Sequence, residues 1–198
     1  MSGNGKGWAN PAPAGLVALA IACFTFFSIF NGKVEHSALP LLGCWLLGGF
    51  VVQIFVGIVE ILEGNLLGGN VFTFFSAFFM LTTAVECFYK FWAAKNQIKL
   101  DARIDGWAWI CLSTALTVWT PAYLKSVLVM SILVISLDIA VWIVTFMDLG
   151  LIVRADWAPV SGWFLLIGGI CGLYMSSAVI LNGSFGKVIL PTGPSILK

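Results

Sequence analysis

Apolar residues along this chain gather into six long runs, near residues 12–31, 38–62, 66–91, 106–122, 124–147 and 158–181. A bilayer core is crossed by about 20 mostly apolar residues in a helix. Each run therefore predicts one membrane-spanning helix. The polar breaks between runs are short: Asn31-Gly32-Lys33-Val34-Glu35, then Leu62-Glu63-Gly64-Asn65, then Lys95 to Asp105, then Asp148 to Trp157. Only the stretch from Lys95 to Asp105 has room for an extra turn or two. The fourth run is the weakest, because Thr120-Pro121 closes it just before Lys125. The pattern predicts an all-α membrane protein: a single transmembrane domain over residues 1–198, six helices in a compact bundle. An even number of crossings puts both termini on the same side.

Composition agrees with that pattern. The 198 residues are 60% hydrophobic and 10% charged, with a mean hydropathy of +1.02, where soluble domains carry about one-quarter charged residues. Ten Lys and Arg face nine Asp and Glu, so no basic surface argues for nucleic acid and no acidic tail for a basic partner. Trp8, Trp92, Trp107, Trp109, Trp119 and Trp157 lie near run ends, where aromatic residues form a belt at the headgroups. Glycines inside the runs, such as Gly48, Gly49, Gly168 and Gly169, let helix backbones approach closely in lipid.

The five cysteines fall in or beside apolar runs without the close spacing of a zinc or redox site, and are expected as buried thiols. Ser2 to Gly7 is polar and Gly-rich, not the basic start of a cleaved signal, so the first run is expected to remain as a span. Basic residues do not orient the bundle. With a cytoplasmic N-terminus the inner segments hold Lys6, Lys125, Lys187 and Lys198, and the outer ones Lys33, Lys90, Lys95, Lys99, Arg103 and Arg154. By the positive-inside rule that count leans the other way.

The first run is entered through Asn10-Pro11-Ala12. Aquaporin-type channels use two such turns on half-helices inside the membrane, with positive helix ends excluding cations. This chain has one, and it precedes a run instead of interrupting it. Asn as cap with Pro in the first turn is a helix-start signal. The longer stretch Asn10-Pro11-Ala12-Pro13-Ala14-Gly15-Leu16 resembles the N-P-A-P-L-G-L signature of the acetate uptake transporter (AceTr) family, the succinate-acetate permeases, with Ala14 in place of Leu. Further segments look like the same family in the same order. These are Gln53 to Glu60 followed by Gly64-Asn65, Phe72-Thr73-Phe74-Phe75-Ser76, Ser161-Gly162-Trp163, Tyr174, Leu181-Asn182, and Phe185 to Pro191. From Glu86 to Ala155 the likeness is one of hydropathy alone.

Polar side chains at or near membrane depth are Gln53, Glu60, Glu86 and Asp138. Such groups are costly in lipid and read as functional by default. Gln53 and Glu60 stand for proton coupling or a polar lock. Asp138 reads as a proton-coupling group or as a partner of Lys125 or a hydroxyl, and Glu86 as interfacial. The lone His36 lies in the first connection and reads as solvated. Intramembrane hydrolysis would need Ser with His, or paired His, inside the bundle. Neither is present, so the chain does not read as an enzyme, and no metal or cofactor is expected.

No Lys or Arg lies mid-run, so a permeating anion must be held by dipoles. The first and third helices begin on the same side, at Asn10-Pro11 and Asn65. Their free N–H groups and positive ends would make a weak carboxylate site, and weak holding suits a conduit. With a carboxylic acid pKa of about 4.3, roughly one molecule in five hundred is neutral at pH 7, which leaves a protein path something to do. The resemblance implies an apolar, partly aromatic constriction, matched here by Leu19, Phe75 and Leu137. Leu19 stands in place of the usual Phe and Phe75 in place of Tyr, giving a wider and drier neck. Thr73, Ser76 and Tyr174 are candidate hydroxyl donors along the path, or else bond their own helix backbone. The resemblance further implies transport of acetate and succinate, by a channel-like or proton-coupled route. It implies a homohexamer among membrane lipids, in the plasma (cell inner) membrane, with cytoplasmic termini. A non-transporting scaffold or acetate-responsive sensor, and a neutral-solute channel, remain as alternatives.

Overall fold

The computed structural model describes residues 7–198, so Lys6 and the polar stretch before it lie outside the described residues. Six long helices follow the six runs: α1 (Ala12–Phe30), α2 (Leu39–Leu62), α3 (Leu66–Lys95), α4 (Arg103–Tyr123), α5 (Leu128–Asp148) and α6 (Arg154–Phe185). A single 3-10 turn, His36–Ala38, leads into α2. All but α4 are long and apolar enough to cross a membrane. α4 has the length, 21 residues, but Ser113, Thr114, Thr117 and Thr120 dilute it. Pro121 does not end it; the helix continues to Tyr123. α6 begins before and ends after its apolar run, reaching from Arg154 to a left-handed cap at Gly186 (φ 61°), the conformation glycine adopts most cheaply at helix ends.

Sequence chemistry accounts for the two starts that matter most. Asn10 Oδ1 accepts from Ala12 N–H at 2.9 Å, holding one of the free donors at the head of α1. Asn65 caps α3, accepting from Gly68 N–H at 3.0 Å. Gly64, at φ 80°, makes the tight turn from α2 into that cap.

Going round the bundle, α3 packs on α2, α2 on α1, α1 on α6, α6 on α5 and α5 on α4. α3 and α4 meet through long side chains, including the Phe74–Trp119 ring pair at 5.4 Å and the Lys90–Asp105 ion pair at 2.7 Å. Glycine sets how close the neighbours come: a Cβ on Gly57 would lie 2.5 Å from Thr73 Oγ1, and one on Gly69 2.5 Å from Ile61. Buried hydroxyls tie the same neighbours, with Ser113 and Thr145 2.8 Å apart between α4 and α5, and Ser161 donating to Ala140 O at 3.1 Å between α6 and α5. Ser176 Oγ donates to Pro13 O at 2.9 Å. That bond sets the last turns of α6 beside the first turn of α1.

Two expectations change. Cys23 and Cys87 are buried, but Cys44 and Cys111 are exposed on the outer faces of α2 and α4, where lipid rather than a protein core suits a thiol. Trp8, Trp92, Trp107 and Trp157 are exposed as a belt requires. Trp109 and Trp119 instead turn inward against Phe79 and Phe74, because α4 needs bulky side chains to reach α3.

Candidate transport path

Two cavities open at opposite ends of the bundle. The first, about 400 Å³, lies where α1 and α3 begin and α2 and α4 end, with Ala12, Gln53, Glu60, Asn65, Tyr123 and Ser126 in its lining. The second, about 560 Å³, lies at the other end among Phe30, His36, Lys90, Asp148 and Arg154. The first narrows onto Leu19, Phe75, Leu116 and Leu137. Phe79, Trp109 and Val141 close the second from the far side. Between them lies only a void of about 10 Å³, shared by Phe75, Phe79, Trp109, Leu116 and Val141, the room of a single water at most. The neck is thus two apolar layers deep, its two phenylalanine rings edge to face with centroids 5.5 Å apart.

Both neck phenylalanines belong to one irregular stretch of α3. Phe75–Thr82 is π-helical, a rare, wider winding that is frequent at functional sites. It carries Phe75 and Phe79 inward together, each almost fully buried. Leu137 and Val141 stand one turn apart on α5 in the same way. The sequence points to the first layer, Leu19, Phe75 and Leu137. It does not single out Phe79 and Val141, although the four-residue spacing from Phe75 and Leu137 offers both, nor Trp109, whose place near a run end suggests a belt.

At the first mouth the polar groups are mostly committed to one another. Asn65 Oδ1 accepts from Gly68 N–H, and its Nδ2 donates to Glu60 Oε2. Gly68 leaves room for this pairing, since a Cβ there would sit 2.6 Å from Asn65 Nδ2 and 2.9 Å from Glu60 Oε2. Gln53 is 1% exposed; its Nε2 donates to Gly15 O at 3.3 Å, and its Oε1 has no hydrogen-bond partner. Asn10 and Pro11 stand at the head of α1 outside this lining, while their neighbour Ala12 is part of it.

The three candidate hydroxyls are bonded to backbone. Thr73 Oγ1 donates to Gly69 O at 2.6 Å and Ser76 Oγ to Thr73 O at 2.7 Å, both within α3. Tyr174 donates to Pro191 O at 2.7 Å and so holds the C-terminal tail. Asp138 accepts from Thr117 at 2.7 Å and Thr120 at 3.4 Å, tying α5 to α4 away from either cavity.

Charge is concentrated at the second mouth. Lys90 Nζ donates to Glu86 at 2.8 Å and Asp105 at 2.7 Å, and Arg154 pairs with Asp148. Glu86 therefore belongs to a network rather than a bare interface. His36 lines this cavity, its ring stacked on Phe91 with centroids 6.3 Å apart. The Lys90 cluster joins the end of α3 to the start of α4, the Arg154–Asp148 pair closes the junction of α5 with α6, and both arise from run ends that hydropathy alone does not connect.

Six helices around two chambers that meet at a dry neck define a polytopic membrane protein with an interior path. The sequence profile of the GPR1/FUN34/yaaH family matches residues 4–194, and the chain belongs to that family. It is 28% identical over 198 residues to the succinate-acetate/proton symporter SatP of Escherichia coli K12, covering 98% of this chain and 99% of that protein. A solved structure of the bacterial acetate channel SatP superposes with a TM-score of 0.81 at 22% identity, over 94% of this chain and 99% of that one, and shares its fold. Accumulation of dyads protein 2 of Saccharomyces cerevisiae is 35% identical over 80 residues, 39% of this chain and 28% of that protein.

Proposed function

We propose that this protein carries small carboxylates, acetate first and succinate with it, from one chamber to the other through the neck of each protomer. The observation that supports this best is the pair of chambers at opposite ends, separated by two apolar layers and one water-sized void. A strongly hydrated ion loses its shell at such a barrier at great cost, while a small methyl-bearing molecule has far less to shed. The relatives named for succinate, acetate and protons point to the same substrates.

In this reading the protein sits in the plasma membrane as a homohexamer, with both termini and the first chamber facing the cytoplasm. The carboxylate meets the heads of α1 and α3 at that mouth, where Asn10, Pro11 and Asn65 shape the helix starts. Leu19, Phe75 and Leu137 form the near layer of the neck. Thr73, Ser76 and Tyr174 act through the backbone they hold, Thr73 and Ser76 by bracing α3 beside Phe75. Gln53, Glu60 and Asp138 serve as proton-coupling groups or polar locks. The test is uptake of labelled acetate into liposomes holding the purified protein. Uptake faster than into empty vesicles is expected; equal rates would remove the transport reading.

A further inference from the structure

α3 and α4 are neighbours whose backbones do not pack closely; long side chains bridge them. Along their seam, on the outer surface of the bundle, runs a groove of about 440 Å³. Much of its lining is apolar, with Phe78 from α3 and Ile104, Ala108 and Leu112 from α4. Thr83, Glu86 and Trp109 line both this groove and the second chamber, and Trp109 also borders the void in the neck. At this seam the interior path is therefore one side chain away from whatever surrounds the bundle.

The groove is polar at one end only. There Lys90 Nζ donates to one oxygen of Glu86 at 2.8 Å and one of Asp105 at 2.7 Å. Exposed Tyr89 and Trp92, stacked with centroids 5.6 Å apart, and exposed Trp107 lie within two turns of this end, and such residues sit at the level of lipid headgroups. From Glu86 to Phe78 the helix descends about 12 Å at 1.5 Å per residue, most of the roughly 15 Å that one leaflet contributes to the hydrocarbon core. Polar at headgroup level and apolar below, the groove has the layout of a lipid molecule. Its charge narrows the choice. Two carboxylates share one ammonium, so the cluster keeps one negative charge and each acid keeps an oxygen for a second donor, while the nearby Arg154–Asp148 pair is neutral in sum. A primary ammonium supplies a positive charge and three donors. A choline headgroup has the charge without the donors, and an anionic headgroup meets repulsion.

We propose that the α3–α4 groove seats a phosphatidylethanolamine, its ammonium held by Glu86 and Asp105 and one acyl chain lying along Phe78, Ala108 and Leu112 against Trp109. The lipid phosphate then falls beside Lys90, whose side chain is 38% exposed. The chain completes the side wall of the far layer of the neck, which protein alone leaves one residue thick. The proposal rests on the fold and the membrane setting, and stands whether or not acetate crosses.

The experiment places the full-length protein in nanodiscs of phosphatidylcholine with a small share of phosphatidylethanolamine that carries a diazirine midway along one acyl chain. After irradiation the adducts are located by peptide mass spectrometry. They are expected to concentrate on residues 78–83 and 104–112, Trp109 among them. Excess unlabelled phosphatidylethanolamine is expected to remove them, and phosphatidylcholine or phosphatidylglycerol to leave most in place. Ala108→Trp fills the groove with an indole and is expected to lower the adducts several-fold, with elution volume and melting temperature unchanged. Adducts spread as densely over the outer faces of α2 and α6, or equal competition by phosphatidylcholine, would overturn the proposal. So would a groove free of adducts, the outcome if a second copy of the chain covers it. The competition arms use the wild-type protein, so an Ala108→Trp protein that fails to fold leaves the test intact. No arm measures acetate, so failure here is separate from failure of the transport reading.

Discussion

Gly68 shows how one missing side chain supports the first mouth. Asn65 bonds the α3 start and Glu60 together, and a methyl group at Gly68 would collide with both partners. Gly48, on the neighbouring helix, faces open space, with nothing within 4 Å of where a methyl group would sit. Gly68→Ala is therefore expected to destabilise the protein by about 1–3 kcal/mol, and Gly48→Ala to be neutral or slightly stabilising as alanine favours helix. Thermal melts in detergent check the contrast; equal melting temperatures would mean that the Asn65–Glu60 pairing carries no stability. Asn65 and Glu60 were legible because each lies in a short motif, whereas Tyr123 and Ser126, which share the lining, carry no such signal. The unpaired oxygen of Gln53 was not legible either, since it depends on where Gly15 O falls across two helices.

Among the elements, the C-terminal tail does more than trail from α6. Ile196 and Leu197 donate their N–H groups to Leu124 O at 3.0 and 2.8 Å, and Val129 N–H donates to Thr192 O at 3.2 Å. Asn182 Oδ1 takes Ile189 and Leu190 N–H, and Tyr174 holds Pro191. The tail thus straps the α4–α5 link, whose Tyr123, Ser126 and Val127 line the first chamber. Ending the chain after Pro191 is expected to leave the helices intact while amide exchange in residues 124–127 rises, since loops opened locally lose protection first. Unchanged exchange there would make the tail a passenger. Hydropathy announced all six helices, and α4 was the weak run for a physical reason: its hydroxyls bond Asp138 and Thr145 across to α5, so it is polar where it meets protein. The tail's strap was hidden because backbone bonds leave no residue pattern.

Across the whole molecule, the path is a property of packing between helices distant in sequence. The near layer of the neck draws on α1, α3 and α5 at once, and the far layer on α3, α4 and α5. Family resemblance pointed to Leu19, Phe75 and Leu137 one position at a time. The second layer and the ion-paired second mouth emerge only when the runs are assembled. If substrate crosses each protomer through this neck, filling the neck must stop the flux. Labelled-acetate uptake by Leu137→Trp, with Ile135→Trp on the exposed face of α5 as control, puts that to the test. Matched elution volumes for the two proteins are part of the measurement. Leu137→Trp is expected to fall to the rate of empty vesicles while Ile135→Trp keeps most of the wild-type rate. Wild-type uptake by a correctly assembled Leu137→Trp protein would contradict passage through the neck.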